Sequence, residues 1–161
     1  MNPEFSTDLF AAEPVIIAWD IKYEIGIPLI DKQHEKLVQL VNDLHMACRQ
    51  SVKTASRFFI ETAHETVNYL HHHFSTEEKM MLLFEYKGYP EHKTEHENFS
   101  KEIQNQIRLV SIRRQLDPDI FVRLIKDWLV SHITKLDNDL AKYILSLEDH
   151  EKLQQLFPKS A

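Results

Sequence analysis

The chain has 161 residues, enough for one domain with a real hydrophobic core and too few for two comfortable ones. Two Gly and six Pro are so little punctuation that hairpin-rich β folds are disfavoured and long helices favoured, while a formal net charge of −6 argues against a general nucleic-acid binder. The single cysteine, Cys48, excludes an intramolecular disulfide; no stretch approaches the roughly 18–20 apolar residues of a membrane span, and no basic-then-apolar leader opens the chain, so it reads as cytoplasmic with no membrane span.

Residues 1–18 form a lead whose opening "MNPEFST" carries no periodicity and is set aside. Residues 8–30 contain "VIIAWDIKYEIGIPLI", an apolar arm expected to pack across the rest. A first helix is predicted from about Asp31, as N-cap, to Gln50, with His34, Leu37, Val38, Val41, Leu44, His45 and Cys48 at helical spacing. A second runs from about Thr54 to Tyr86, where Phe59, Ala63, Thr66, Leu70, His73, Glu77, Met80 and Phe84 alternate by four and three, the seam of a helix bundle. Within "HHHFSTEE" that seam selects His73 and Glu77 and turns His71, His72 and Glu78 away from it. "YKGYP" breaks the chain, and a third helix follows from about Glu91 to Gln115 with His92, His96, Phe99, Ile103, Ile107 and Val110 inward. The fourth opens on Asp117 as N-cap and Pro118 at the first helical position. Its stripe is Phe121, Ile125, Trp128, His132, Leu136, Leu140 and Tyr143. "SLEDHEKLQQLF" reads as a short extra C-terminal helix. The expected architecture is all-α, an antiparallel up-down-up-down four-helix bundle over residues 19–145 with an N-terminal arm, and residues 146–161 as a short helix and tail.

All four seams thus carry histidine: His34, His73, His92 with His96, and His132, joined by Glu77. A lone histidine on an apolar face is ordinarily a hydrogen-bonded core residue, but five on four seams would leave many imidazole nitrogens without partners. A metal resolves this, since imidazole and carboxylate are good ligands for iron and bundles build such sites from facing side chains. The His-Glu-x-x-His motif of zinc peptidases is absent: four His-Glu pairs are followed at i+4 by Val38, Asn68, Ser100 and Gln154. Of the two Glu-x-x-His pairs a ferritin-like site needs, only Glu61–His64 is present, on the far side of the second helix, where His64 reads as a surface residue.

"IDKQHEKL", "HFSTEE", "YPEHKTEHENF" and "WLVSHITKLD", with Trp19 and Gly26 ahead of them, resemble the ordered motifs of the hemerythrin family, specifically the bacterial hemerythrins, over about residues 19–145. The resemblance implies two iron ions with a bridging oxo or hydroxo group. His34 and His73 would bind one iron, His92, His96 and His132 the other, and Glu77 and Asp137 would bridge both. Counting about six positions per iron leaves one open, on the iron with two histidines. Dioxygen is the implied ligand, bound reversibly for storage, delivery or sensing; the protein is then not primarily an enzyme, and a reductase or sensory partner is compatible with it. The alternative is a di-iron oxidase, peroxidase or nitric-oxide-handling enzyme. Trp128, Leu129 and Ile133, around His132, are expected to line the dioxygen pocket, with Leu37 and Phe74 on its other side. Asp137 is awkward, because five residues after His132 is about 140° around an ideal helix. Either its side chain reaches sideways or the helix carries a π-bulge there.

Overall fold

The structure, a computed structural model, describes residues 15–48, 52–113, 118–147 and 154. Every regular element among them is helical. They are a 3-10 turn (Ile21–Tyr23), α1 (Pro28–Cys48), α2 (Val52–Leu83), α3 (Tyr89–Arg113), and a continuous fourth rod made of α4 (Pro118–His132), a π-helical turn (Ile133–Asp137) and α5 (Asn138–Leu145). Short links make sequential helices antiparallel neighbours, and the fourth rod returns beside α1, so the predicted all-α bundle is the fold. No helix among the described residues is long and apolar enough to cross a membrane. The expected N-cap Asp117 and the side chain of Val110 lie outside the described residues. Of the extra C-terminal helix, only Ser146 and Leu147, which are not helical, and Gln154, which is, fall among the described residues.

The start of α1 differs from expectation, and the difference matters for the site. The helix begins at Pro28, where the missing N–H is not needed. Asp31 is therefore inside the first turn rather than at the cap. Its carboxylate instead reaches back to the preceding loop, accepting from the Ile25 N–H at 2.7 Å and the Gly26 N–H at 3.2 Å. Gly26 has φ +85°, a left-handed turn that a side chain would strain. This turn folds the arm back along the bundle and buries Ile17, Tyr23, Ile25 and Ile27. Asn42 of α1 pins the arm further out, accepting from the Ile17 N–H and donating to its carbonyl.

The core is the set of seams read from the periodicity: Leu37, Val41 and Leu44 of α1, Leu70 of α2 with Phe84 just past its end, Phe99 and Ile103 of α3, Phe121 and Ile125 of α4, and Leu140 of α5, all buried. α2 ends in a Schellman arrangement, the Tyr86 N–H bonding to the Met81 carbonyl and the Glu85 N–H to that of Leu82, with Glu85 at φ 53°. The Tyr143 hydroxyl donates to the Phe84 carbonyl, tying the end of α2 to α5. Helix α3 starts two residues before the expected Glu91; Pro90 sits in its first turn, where a lost N–H costs nothing.

The decisive local feature is the π-helical turn. The Asn138 N–H bonds to the Ile133 carbonyl five residues back, inserting one extra residue into the rod. Residues five apart then share a face. Asp137 is fully buried, Leu136, expected on the seam, is displaced to a half-buried position, and Asp139 is exposed beside Lys142.

Candidate metal centre

Five histidines and two carboxylates from all four rods meet at mid-bundle: His34, His73, Glu77, His92, His96, His132 and Asp137, each 4 % exposed or less. Their ligating atoms fall into two groups. His34, His73, Glu77 and Asp137 form one and Glu77, His92, His96 and His132 the other, with the atoms of each group within 4.8 Å of one another. Sequence periodicity reaches six of the seven, and the π-helical turn brings in the seventh.

The carboxylates connect the two groups. Glu77 Oε1 faces His73 Nε2 at 3.6 Å, while its Oε2 faces His92 Nε2 at 3.6 Å and His96 Nε2 at 3.3 Å. Asp137 does the same in the other sense: Oδ2 lies 3.2 Å from His34 Nε2, and Oδ1 lies 3.1 Å from His92 Nε2 and 3.0 Å from His132 Nε2. Each carboxylate thus offers one oxygen to each histidine set. Metal–nitrogen and metal–oxygen bonds of about 2.0–2.2 Å place neighbouring donors of one ion about 3 Å apart, close to these separations.

The outer nitrogens explain which way the rings are protonated. His34 Nδ1 donates to the Tyr23 carbonyl at 3.1 Å, His73 Nδ1 to Gln33 Oε1 at 3.0 Å, and His96 Nδ1 to Glu78 Oε1 at 3.3 Å. With Nδ1 protonated, the Nε2 lone pair of each ring points inward, as in metal-bound imidazoles generally. Inside, His92 Nε2 and His96 Nε2 lie 2.9 Å and 3.0 Å from His132 Nε2. His34 Nε2, His73 Nε2 and all four oxygens of Glu77 and Asp137 are buried with no hydrogen-bond partner. Nitrogen and oxygen atoms buried in this way without partners are costly, and a cation on each group removes the cost. The donor set, nitrogen and carboxylate oxygen without thiolate, fits iron.

Electrostatics of the metal-free chain agree. Burial works against charging His92, but Asp137 and Glu77 beside it outweigh that and raise its pKa to about 9; the same contest, decided chiefly by Asp137, raises His34. Burial wins at His73, pushed down to about 4. Both carboxylates are held below their ordinary range: burial opposes this, and the surrounding imidazoles prevail. A proton on His92 thus offsets part of the two buried negative charges, the role the metal ions would take over.

A pH dependence follows. The His92 proton contributes stability to the metal-free protein that is fully present below the ordinary histidine pKa of 6.5 and lost as pH rises through about 9. The urea midpoint of metal-free protein should therefore fall between pH 6.5 and 9.5, and His92→Gln should flatten that fall. Metal uptake should strengthen over the same interval, since each ion displaces protons. A midpoint that rises across this interval would contradict the charge balance.

Aromatic rings wall one side of the centre. Phe74 stacks on His96 with centroids 4.0 Å apart, Trp128 stacks on His132 at 4.2 Å and on Phe99 at 3.9 Å, and Phe74 meets Trp128 edge-on at 5.3 Å. Two of the five expected pocket residues thus lie on rings of the three-histidine set. The other three, Leu37, Leu129 and Ile133, are buried at 1 % exposure or less. His71, His72 and His64 are exposed, as the seam required.

Residues 25–144 match the family model described as the hemerythrin HHE cation binding domain. The chain belongs to the hemerythrin family. It is 32 % identical over 135 residues to a bacteriohemerythrin of Stenotrophomonas maltophilia, covering 80 % of this chain and 82 % of that one. A myohemerythrin of Sipunculus nudus is 31 % identical over 119 residues, 74 % of this chain and 86 % of that one. A crystal structure of a hemerythrin mutant superposes with a TM-score of 0.73 at 21 % identity, covering 81 % of this chain and 98 % of the other, a likeness of fold.

Sequence reasoning missed Gln33, Glu78 and the Tyr23 carbonyl. Gln33 and Glu78 each neighbour a seam residue, and a polar side chain beside a metal-ligating one is a usable signal. A backbone carbonyl eleven residues from His34 leaves none.

Proposed function

We propose that this hemerythrin binds dioxygen reversibly at a non-haem di-iron centre, for storage, delivery or sensing rather than as an enzyme. His34 and His73 would hold one iron, His92, His96 and His132 the other, and Glu77 and Asp137 would be shared between them. The observation that carries this is the division of each carboxylate, one oxygen toward each histidine set. Two iron ions held there with an oxo or hydroxo bridge would supply the electrons and the coordination position that reversible dioxygen binding needs. The chain's own part is to fix the rings through their Nδ1–H groups, to neutralise the ions with two carboxylates, and to keep water out. Water exclusion suits reversible binding, because converting dioxygen onward requires protons. Leu37, Leu129 and Ile133 are the apolar residues we assign to the dioxygen side, since Phe74 and Trp128 cover the three-histidine side.

The test is an absorption spectrum of the reduced protein before and after air, with iron counted per chain. Two irons and a visible band that appears in air and disappears under vacuum are expected. A band that decays within a cycle, or steady consumption of peroxide or nitric oxide, would favour the enzymatic reading. Leu129→Asn, checked as folded and iron-replete, should shorten the lifetime of the air-induced band at fixed pH, because a buried amide brings water with it. An unchanged lifetime would remove Leu129 from the pocket.

A further inference from the structure

The two histidine sets differ in what holds their outer nitrogens. On the two-histidine side both holders are neutral, the Tyr23 carbonyl for His34 and the Gln33 amide oxygen for His73. On the three-histidine side His96 is held by an anion. Glu78 Oε1 accepts from His96 Nδ1 at 3.3 Å, and Glu78 Oε2 accepts from Lys93 Nζ at 2.9 Å. Glu78 is half-buried on the wall of a surface groove between α2 and α3, which Phe74, Lys79, His96 and Lys101 also line. It belongs to neither group of ligating atoms.

A carboxylate accepting an imidazole N–H draws the proton outward and raises electron density on the opposite nitrogen, more than a neutral carbonyl does. The Lys93 ammonium works against this by holding part of the carboxylate's charge. The parallel Phe74 ring at 4.0 Å keeps the imidazole plane fixed. We propose that Glu78 is a positioning residue that strengthens His96 as a donor and makes the two halves of the centre electronically unequal, with Lys93 as the counterweight that limits the effect. The inference rests on the two-ion reading above and deepens it.

The experiment is a cobalt(II) titration of metal-free protein, followed by the visible absorption of the bound ion, in wild type and three variants. Wild type should take up two cobalt ions per chain. Glu78→Gln should still take up two, with one binding step weakened about 10- to 100-fold and the other little changed. Lys93→Met should strengthen that same step, and by more than Lys79→Met, which removes one positive charge from the groove that Glu78 lines while leaving the Lys93–Glu78 pair in place. Both steps unchanged in Glu78→Gln, both weakened alike, or a step weakened in Lys93→Met would overturn the inference, the last because it would make Glu78 a passive anchor. Fewer than two cobalt ions in wild type would instead overturn the two-ion reading.

Discussion

Replacing Glu77 with Gln is expected to lower metal content from two ions per chain to one or fewer. Both oxygens of Glu77 face histidine nitrogens of different sets, Oε1 toward His73 and Oε2 toward His92 and His96. An amide keeps the shape but turns one of those lone pairs into an N–H aimed at the ion it should bind, and it removes one of the two negative charges. Loss of a residue that merely orients a ligand costs roughly 10- to 100-fold in affinity, so loss of a ligand shared by both ions should exceed that. In the metal-free protein the same change takes away part of what keeps His92 charged, and its raised pKa should drop toward the ordinary value. Elemental analysis of iron per chain, with a melting curve to show that the variant folds, checks this. Two irons retained at wild-type affinity would remove Glu77 from its bridging place.

The run of three histidines offers an equally large contrast within one helix turn. His73→Ala should abolish binding of one ion and leave a cavity at a fully buried position, whereas His71→Ala should leave metal content and stability unchanged, its ring being exposed. His72→Ala should fall close to His71→Ala. Its ring is exposed too, yet its Nε2 lies 3.4 Å from the amide nitrogen of Gln33, the residue whose oxygen holds His73. The Gln33 amide also donates to Thr76 Oγ1 at 3.2 Å, so losing the long contact to His72 still leaves Gln33 anchored. Iron per chain and thermal midpoint for the three variants form the measurement. His72→Ala matching His73→Ala would show that the hydrogen bonds through Gln33 carry more than the seam.

How much of this was legible beforehand differs from helix to helix. In α2 nearly everything was, because an unbroken helix of 32 residues gives rotational phase to each position, and phase alone separates His73 from its two neighbours. In α3 the spacing of His92 and His96 was enough. For α1 the inward side chains were readable but the entrance was not. Asp31 looks like an N-cap in sequence, and only the fold-back of the arm at Gly26 gives its carboxylate two loop amides to bind.

By itself, then, the sequence determined the helical class, the four seams and six of the seven inward site residues, because these depend on periodicity, a property of each segment alone. The tertiary structure decided three things. It inserted an extra residue at Ile133–Asp137, which turned Asp137 inward and Leu136 aside; a π-helical turn is costly in isolation and persists where burial and the surrounding imidazoles reward the carboxylate it delivers. It brought the Tyr23 carbonyl against His34, a contact made by backbone and therefore invisible in residue types. And it gave His73 a neutral partner and His96 a charged one, a distinction set by which side chains meet when helices pack, since Gln33 and Glu78 each acquire their roles from a neighbouring helix rather than their own.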